Sequence, residues 1–478
     1  MRLVWLLALT GCVVPVNRSL PRGAFRESRI ALERSTAATA IASPSAIDVG
    51  WGASEIKAAE GTSLAGYGSR AGEPHEGVHD PTFARAIALR AEDGQPVVFL
   101  ATDILLIEGT LRAAIAERLA GVIAMDRIIL TATHTHGGLG GYADNFAFRF
   151  VTGAPDDRAK SDILDAIDTA VRAAIASLAP GRVALGEVEA PGLSTNRIKK
   201  VGLPVDPVAG VLLVERKSDK QRAVLVTYGA HATVVSDLDR RVTADYPGAM
   251  ARALESHGLA MAAFAAGAVG SMSPRAGWSE QPGAEWQGQA LAGAVLAALP
   301  RLSRDLVDRA PLVALQATLV LPPRQWRVIA ADWSMPAPFT EMFVPIRAPV
   351  TAVTLGRATW VSLPFELSGE IAARIRARAR NSGHVLVLSS FGGEYAGYVT
   401  PPAAYDMPEA DKADMADYET RLLGFYGPHM GDLAAAAAWR TMLAAESRTT
   451  GVTRAPQLVR MPPPATSPPP EPARPPEK

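Results

Sequence analysis

Apolar runs alternate with helix-like patterns through most of the chain. Residues 97–102 form a continuous apolar run that predicts a buried strand, and residues 110–119 place apolar side chains at helical spacing. Residues 127–133 predict the next strand. A strand, a helix and a strand in succession imply a parallel strand pair joined by a right-handed crossover.

The same mixture continues into the last third of the chain. The patterns predict helices near residues 159–178, 247–257, 285–298 and 367–380, strands near 261–266, 312–320, 350–355 and 358–363, and a hairpin near 209–229. We therefore predict an α/β fold in which helices flank a mixed β-sheet.

The two ends of the chain lack this patterning. Residues 12–45 are polar and rich in Ala, Ser and Arg without sustained periodicity, which predicts a tether. Residues 449–478 are dense in proline from Pro456 onward, and proline cannot donate backbone hydrogen bonds, so we predict a disordered tail. The folded body is predicted to span residues 46–448.

Cys12 is the only cysteine of the chain, so no intramolecular disulfide can form. Arg2 precedes an apolar run at residues 3–9 that is too short to span a bilayer, which is the layout of a secretory signal. The following Thr-Gly-Cys step resembles the bacterial lipoprotein signal, in which the cysteine is acylated. We therefore expect residues 1–11 to be a signal peptide, Cys12 to be lipidated, and the exported protein to be anchored to a membrane surface in the bacterial cell envelope.

The composition and charge of the chain limit the kinds of molecule that it can be expected to bind. The chain is 48% hydrophobic with a formal net charge of zero, which is typical of a globular protein. Balanced charge gives no general attraction for phosphate backbones, and basic residues do not cluster with aromatic ones. We therefore expect no binding to nucleic acid. The sequence indicates no oligomeric state.

Three histidines follow predicted strands and are candidates for a functional site. His134 and His136 come directly after the strand at residues 127–133, and alternate residues of an extended chain share one face. His231 follows an apolar run at residues 223–228. Sites in α/β sheets collect beyond the carboxyl ends of the strands, so these imidazoles are expected at one edge of the sheet.

A metal site is one use for such a cluster. Zinc is held by His, Cys and carboxylate side chains, and with Cys12 assigned to the anchor the ligands must be histidine and oxygen groups. Glu366 lies between a predicted strand and a predicted helix and is a candidate carboxylate. The alternative is that Glu366 only favours the N-terminus of that helix.

Several segments occur in the order seen in the neutral ceramidases. They are residues 134–138 (HTHGG), Asn196-Arg197, His231, residues 270–274 (GSMSP), 364–366 (PFE), 395–400 (YAGYVT) and 426–429 (YGPH). Over roughly residues 48–445, the chain thus resembles the N-terminal catalytic domain of the neutral/alkaline non-lysosomal ceramidase family. The β-sandwich domain that usually follows is expected to be absent, since the proline-rich tail stands in its place.

The resemblance implies a zinc-dependent amidohydrolase that cleaves the N-acyl bond of ceramide, or a related N-acyl lipid, by attack of zinc-activated water. The implied zinc ligands are His134, His231, Glu366 and Tyr398, at the carboxyl ends of strands, and the implied catalytic residues are His136, Arg197, Ser273 and Tyr418. His136 is expected to act as acid and base. Arg197 and Tyr418 are expected to stabilise the oxyanion.

Departures from the family pattern leave alternatives open. The pattern Gly-Asp-x-Ser-Pro-Asn has Ser271 in place of the acid and Arg275 in place of the amide here. Ser273 is therefore either a nucleophile or a bystander, and Tyr405 is an alternative to Tyr418. The functional alternatives are a zinc amidase for a non-lipid N-acyl substrate and a catalytically silent envelope lipoprotein.

Overall fold

A computed structural model describes residues 13–70, 72–92, 94–198, 205–276, 279–327, 332–341, 343–405 and 422–449. Its helices are α1 (Arg22–Arg34), α2 (Gly109–Arg118), α3 (Arg149–Thr152), α4 (Asp157–Ala176), α5 (Asp245–Ser256), α6 (Glu280–Leu302), α7 (Ala337–Thr340), α8 (Gly369–Asn381), α9 (Pro402–Tyr405) and α10 (Met430–Glu446). The predicted signal peptide, Cys12, Tyr418 and residues 450–478 lie outside the described residues.

The strands follow the same chain order. They are β1 (Val14–Pro15), β2 (Ala37–Ile56), β3 (Thr82–Ala91), β4 (Val97–Thr102), β5 (Ile128–Ala132), β6 (Ala179–Glu189), β7 (Ser194–Asn196), β8 (Val208–Arg216), β9 (Arg222–Tyr228), β10 (Met261–Ala266), β11 (Met272–Pro274), β12 (Arg309–Val320), β13 (Trp333–Ser334), β14 (Arg347–Leu355), β15 (Ala358–Ser362), β16 (Glu366–Leu367), β17 (Val385–Ser389) and β18 (Tyr398–Val399).

Twelve of these strands form one mixed sheet within the described chain. Its main path runs β10-β9-β8-β6-β2-β12-β14-β15-β17, and β3, β4 and β5 branch from the long strand β2. The branch is possible because residues 37–46 of β2 pair with β12 while residues 47–56 pair with β3. The predicted parallel pair is confirmed as β4 and β5, and the predicted α/β fold with a mixed sheet is also confirmed.

Strand residues are buried on both faces of the sheet. Phe99 of β4 and Trp360 of β15 pack edge to face at 5.4 Å in a core made only of strand residues. The alternate residues Val98 and Leu100 belong to a second core, which the helices cover. A strand with two covered faces has no polar side, which is why residues 97–102 are continuously apolar.

The predicted tether over residues 12–45 is wrong for its described part. Helix α1 packs on β12 with Ala24 and Leu32 buried, and the hydroxyl of Ser28 donates to the Val320 carbonyl at 3.1 Å. Strand β2 also begins at Ala37, before the predicted boundary at residue 46. Small and polar side chains give these elements a weak hydrophobic pattern, so pairing with β12 supplies the order that periodicity does not reveal. No described helix is both long and apolar enough to cross a bilayer.

Candidate metal and catalytic site

Short backbone pairings bring distant loops of the chain together at the site. An isolated parallel bridge joins Thr135 to Ala232, so the segment with His134 and His136 lies beside the segment with His231. The two-residue strands β16 and β18 pair in parallel, which sets Glu366 directly beside Tyr398. Each candidate ligand is therefore held by backbone hydrogen bonds and not by its side chain alone.

A glycine permits this close approach. A Cβ atom on Gly270 would lie 2.4 Å from the carbonyl oxygen of Glu366, a distance that a side chain cannot occupy. The Gly270 amide donates to the Leu367 carbonyl at 2.9 Å. The glycine at the start of the GSMSP segment therefore lets strand β16 pass against the loop that leads into β11.

His134 and His231 direct the same ring nitrogen into the site. Nδ1 of His134 lies 2.8 Å from the Leu105 carbonyl, and Nδ1 of His231 lies 2.8 Å from the Val269 carbonyl. A carbonyl oxygen can only accept a hydrogen bond, so each Nδ1 carries the proton and each Nε2 presents a lone pair. Both rings are buried, and burial lowers the pKa of His231 to about 3, with a further contribution from the positive charge of Arg197. His231 is therefore neutral at neutral pH, which is the form that binds metals.

The carboxylate of Glu366 faces both imidazoles. Its Oε2 atom lies 3.3 Å from Nε2 of His134 and 3.1 Å from Nε2 of His231. The other oxygen, Oε1, accepts a hydrogen bond from the hydroxyl of Tyr395 at 2.6 Å. Glu366 is thus a buried, oriented carboxylate and not merely a helix-terminal charge.

Tyr398 and Arg197 complete the polar wall. The Tyr398 hydroxyl lies 3.0 Å from Nε2 of His231, and the two rings stack at 6.1 Å. Nη2 of Arg197 donates to Nε2 of His231 at 2.9 Å, to the Tyr398 hydroxyl at 3.3 Å and to the Gly270 carbonyl at 3.2 Å. A fixed cation therefore lies within hydrogen-bond reach of two of the four candidate ligands.

His136 lies in the same cluster but is held differently. One ring nitrogen of each of His134, His136 and His231 lies within 4.8 Å of the others. Both ring nitrogens of His136 are buried and make no hydrogen bond to the described residues. Burial lowers the pKa of His136 well below its usual value, and the neighbouring His134 and His231 lower it further.

The surroundings of His136 fix its ring by contact. The ring of Tyr67 meets the His136 ring edge-on at 4.8 Å, and Arg70 donates to the His136 carbonyl. Gly66 has a φ of +108°, and a Cβ atom there would lie 2.5 Å from the His136 ring. The glycine is needed both for its backbone conformation and for the space that the imidazole occupies.

The donor set fits a metal ion. Nε2 of His134 and Oε2 of Glu366 are buried and make no hydrogen bond to the described residues, although they face one another. Buried polar atoms without such partners are rare and call for an explanation. Two imidazole lone pairs, a carboxylate oxygen and a phenol within a few ångströms suit a borderline metal ion such as zinc. Among the described residues, His134, His136 and His231 form the cluster that could hold a metal ion.

The cluster opens into a large cavity of about 630 Å³. Its polar lining includes the candidate ligands, Arg197, His136 and Ser273. Its apolar wall is formed by Leu105, Leu106, Phe148, Phe150, Val151, Trp326, Phe343, Val344, Leu423 and Phe425. The candidate ligands and the other polar side chains thus line one part of a cavity whose remaining wall is largely apolar.

The predicted site residues outside the ligand set have different outcomes. Ser273 lies on β11, lines the cavity, and makes no hydrogen bond to a described histidine or carboxylate. Tyr405 does not line the cavity. Its ring is buried under the guanidinium of Arg327 at 3.4 Å, which gives no support for choosing Tyr405 over Tyr418. The role of Tyr418 stays a prediction, because that residue is outside the described part of the chain.

Comparison with known proteins agrees with this arrangement. The sequence profile described as "Neutral/alkaline non-lysosomal ceramidase, N-terminal" matches residues 48–287, which is half of the chain. The chain belongs to the neutral/alkaline non-lysosomal ceramidase family. His134, His136, Arg197, His231 and Ser273 all fall within the matched region.

Individual relatives show how far the likeness extends. A neutral ceramidase of Pseudomonas aeruginosa is 26% identical over 218 residues, which are 41% of this chain and 32% of the relative. A neutral ceramidase of Mycobacterium tuberculosis is 26% identical over 222 residues, which are 42% of this chain and 34% of the relative. The matched region therefore spans about a third of the length of each of these relatives.

Solved structures resemble the fold over a longer part of the chain. The crystal structure of the P. aeruginosa neutral ceramidase has a TM-score of 0.71 at 19% identity and covers 86% of this chain and 76% of that chain. A structure described as "Ceramidase complexed with C2" has a TM-score of 0.70 at 18% identity and covers 87% and 77%. The ceramidase fold therefore extends beyond the region that sequence similarity detects.

Sequence reasoning missed several residues that contact the site of this family member. Tyr395, which donates to Glu366, stands in the YAGYVT segment, where only Tyr398 received a role. Tyr67 and Gly66 belong to a glycine-rich loop whose closeness to His136 had no local signal. Glu370, four residues after Glu366 and in the first turn of α8, contacts Asn196 and Ser271, which lie next to Arg197 and close to Ser273.

Proposed function

We propose that the protein is a zinc-dependent amide hydrolase that cleaves the N-acyl bond of ceramide or a related N-acyl lipid. The observation that carries this proposal is the convergence of two buried imidazole Nε2 atoms and one Glu366 oxygen in the wall of a largely apolar cavity. The relatives with similar sequences are neutral ceramidases, which supports the same reaction class.

The residues around the proposed zinc divide the chemistry between them. His134, His231, Glu366 and Tyr398 would hold the ion, and a zinc ion bound there would lower the pKa of a water molecule and polarise an amide carbonyl. His136 is neutral, and its free ring nitrogens can take a proton from water and return it to the leaving amine.

Arg197 has a different part in this proposal. Its guanidinium reaches the hydroxyl of Tyr398 and Nε2 of His231, so it lies beside the position where the amide oxygen gains negative charge. A cation already held in place stabilises that charge without having to reorganise during the reaction. Tyr418 remains a proposed second donor to the same oxygen.

The shape of the cavity supports a substrate with a long apolar chain. Its wall carries aromatic and aliphatic side chains from separate parts of the chain, including Phe150 of α3 and Phe343. The apolar surface continues outward, because Phe146 is 66% exposed and its ring lies 6.2 Å from that of Phe343. Each methylene removed from water contributes about 0.8 kcal/mol, so such a wall favours long acyl groups.

Comparing N-acyl substrates of different length tests the proposal. We expect the zinc-loaded protein to hydrolyse N-palmitoyl-sphingosine with a kcat/KM at least about a hundredfold above that for N-acetyl-sphingosine, since several more methylenes are buried. Release of fatty acid and amine is measured by mass spectrometry. If short polar N-acyl amides are hydrolysed as fast as N-palmitoyl-sphingosine, the result supports the non-lipid amidase instead. If the purified, zinc-loaded protein hydrolyses neither class of substrate, the result supports a catalytically silent lipoprotein.

We also propose that the protein is exported and anchored by a lipid on Cys12, in a segment outside the described residues. Support comes from the basic, apolar and Thr-Gly-Cys sequence of residues 2–12. Cys12→Ser is expected to shift the protein from the membrane fraction to a soluble or unprocessed form, because several acyl chains together hold firmly and none would remain. Wild-type protein without lipid by mass spectrometry, together with unchanged membrane partition of Cys12→Ser, would contradict the anchor.

A further inference from the structure

A carboxylate from another element reaches the position where this chain departs from its family. The pattern has an acid two residues before the serine, and Ser271 stands there instead. Ser271 is fully buried, and its hydroxyl donates to Oε2 of Glu370 at 2.8 Å and accepts from the Gly369 amide at 3.0 Å. Glu370 is in the first turn of α8, so the acid comes from the helix that follows Glu366.

The second oxygen of Glu370 ties down a second strand. Oε1 accepts a hydrogen bond from the side-chain amide of Asn196 at the end of β7. The other atom of that amide group, Oδ1 of Asn196, accepts from the Ile198 backbone at 2.9 Å and so spans Arg197. Strands β7 and β11 are themselves paired, with Met272 opposite Asn196.

These contacts act on both sides of the Arg197 guanidinium. Asn196 precedes Arg197 in the chain, and the Arg197 amide donates to the Ser271 carbonyl at 2.9 Å. Ser271 follows Gly270, whose carbonyl accepts from the guanidinium at 3.2 Å. The Glu370 carboxylate therefore holds two backbone segments. One carries Arg197, and the other includes Gly270, whose carbonyl the Arg197 side chain contacts.

We infer that Glu370 is a positioning residue that sets the Arg197 guanidinium against the metal site, in place of the acid that the family carries at position 271. Among the described residues, Glu370 makes no hydrogen bond to a candidate metal ligand and does not line the cavity, so it acts through Asn196 and Ser271. The kinetic part of this inference rests on the proposed function, since it needs a measurable hydrolysis.

The experiment compares Glu370→Gln with a relocated carboxylate. The amide nitrogen that replaces one oxygen would face either the Asn196 amide nitrogen, which can only donate, or the Ser271 hydroxyl, whose own proton would then lose its acceptor. Either change weakens the hold on the backbone around Arg197. We expect kcat for N-palmitoyl-sphingosine to fall about ten- to hundredfold, with KM and zinc content little changed. Ser271→Asp alone should also lower kcat, because two carboxylates would face one another, whereas Ser271→Asp/Glu370→Gln should recover most of the rate.

Glu187→Gln is the matched control. Glu187 is also buried, and it pairs with Arg380 of the same helix α8 at 2.9 Å, without a hydrogen bond to the described residues that hold Arg197. This variant should lower the thermal unfolding temperature and leave kcat unchanged. If Glu370→Gln lowers stability as Glu187→Gln does and also leaves kcat unchanged, Glu370 is only structural and the inference is wrong. Should Glu370→Gln fail to fold, Asn196→Ala removes the same link and is expected to lower kcat similarly.

Binding of myristate separates this inference from the proposed function. A guanidinium binds a carboxylate strongly, so calorimetry on the zinc-loaded protein reads the placement of Arg197 without turnover. Arg197→Ala and Glu370→Gln should each weaken myristate binding about tenfold, and the double variant should be no weaker than Arg197→Ala alone. Additive losses would overturn the inference. A wild type that binds myristate with this pattern but hydrolyses no N-acyl amide would contradict the proposed function and leave the positioning role supported.

Discussion

His231→Ala and Glu366→Ala are each expected to lose the bound metal and the hydrolytic activity together. His231 presents one lone pair to the site, and Glu366 lies within 3.3 Å of both histidine Nε2 atoms. We expect kcat/KM to fall by about a thousandfold or more, since activation of water and polarisation of the carbonyl disappear together. Metal content by plasma mass spectrometry is measured on the same samples.

Finer variants distinguish a ligand from its support. Tyr398→Phe removes the hydroxyl and keeps the ring that stacks on His231, so it should weaken metal affinity with little effect on folding. Tyr395→Phe removes only the hydrogen bond to Glu366 and should cost about ten- to hundredfold in affinity, as is usual for groups that orient a ligand.

A histidine outside the site provides the control for these metal measurements. His384 pairs with Glu446 at 2.5 Å on another part of the molecule, so His384→Ala should change stability and leave metal content intact. Full metal occupancy in the double variant His231→Ala/Glu366→Ala would contradict the ligand assignment.

The core strands could be predicted because their burial is two-sided. Strand β4 is apolar from Val97 to Ala101 and ends at the buried Thr102, and its match to the predicted residues 97–102 is complete. Strand β3 was missed, because Arg85 and Arg90 interrupt its apolar residues. Arg85 is nevertheless buried, since it forms an ion pair with Asp103 at 3.1 Å. In sequence, Arg85 looks like a surface residue, because its partner Asp103 follows the neighbouring strand β4, and only the pairing of β3 with β4 reveals that the charge is buried.

The site was predictable only where it follows from local chain position. His134 and His231 each come after a strand, and the ends of strands meet at one place in such folds. The contacts that orient them have no local signal. Ser271 and Glu370 are 99 residues apart, and Arg197 and Tyr398 are 201 residues apart. Which carboxylate supports which strand depends on the tertiary structure. For that reason the sequence shows that Ser271 stands in place of the family's acid, but it does not show that Glu370 replaces that acid.

The geometry allows two roles for His136, a metal ligand or an acid and base. The metal content of His136→Ala distinguishes them. One ring nitrogen of His136 lies within 4.8 Å of a ring nitrogen of each of the other two histidines, so His136 as a third imidazole ligand is one assignment. Its lowered pKa and its packing against Tyr67 suit a neutral acid and base beside the metal. We therefore expect His136→Ala to retain the metal, whereas loss of the metal would make His136 a ligand.

The group that attacks the amide carbon is either a water molecule or the hydroxyl of Ser273. If a water molecule attacks, His136→Ala should lower kcat by about a hundredfold or more, because proton transfer to and from the reacting atoms is removed. Ser273→Ala should then cost much less, and no acyl group should be found on the protein. This outcome is favoured because Ser273 makes no hydrogen bond to a described base that could activate it, whereas His136 faces the candidate ligands.

A serine nucleophile gives the opposite pattern. Ser273→Ala would then be inactive, and a burst of amine would precede steady turnover, since the acyl group leaves the serine in a second step. Rapid-quench measurement of sphingosine release from N-palmitoyl-sphingosine detects such a burst. Mass spectrometry of the protein during turnover detects the acyl group itself, and a palmitoyl adduct on Ser273 would replace attack by water with covalent catalysis in this member of the family.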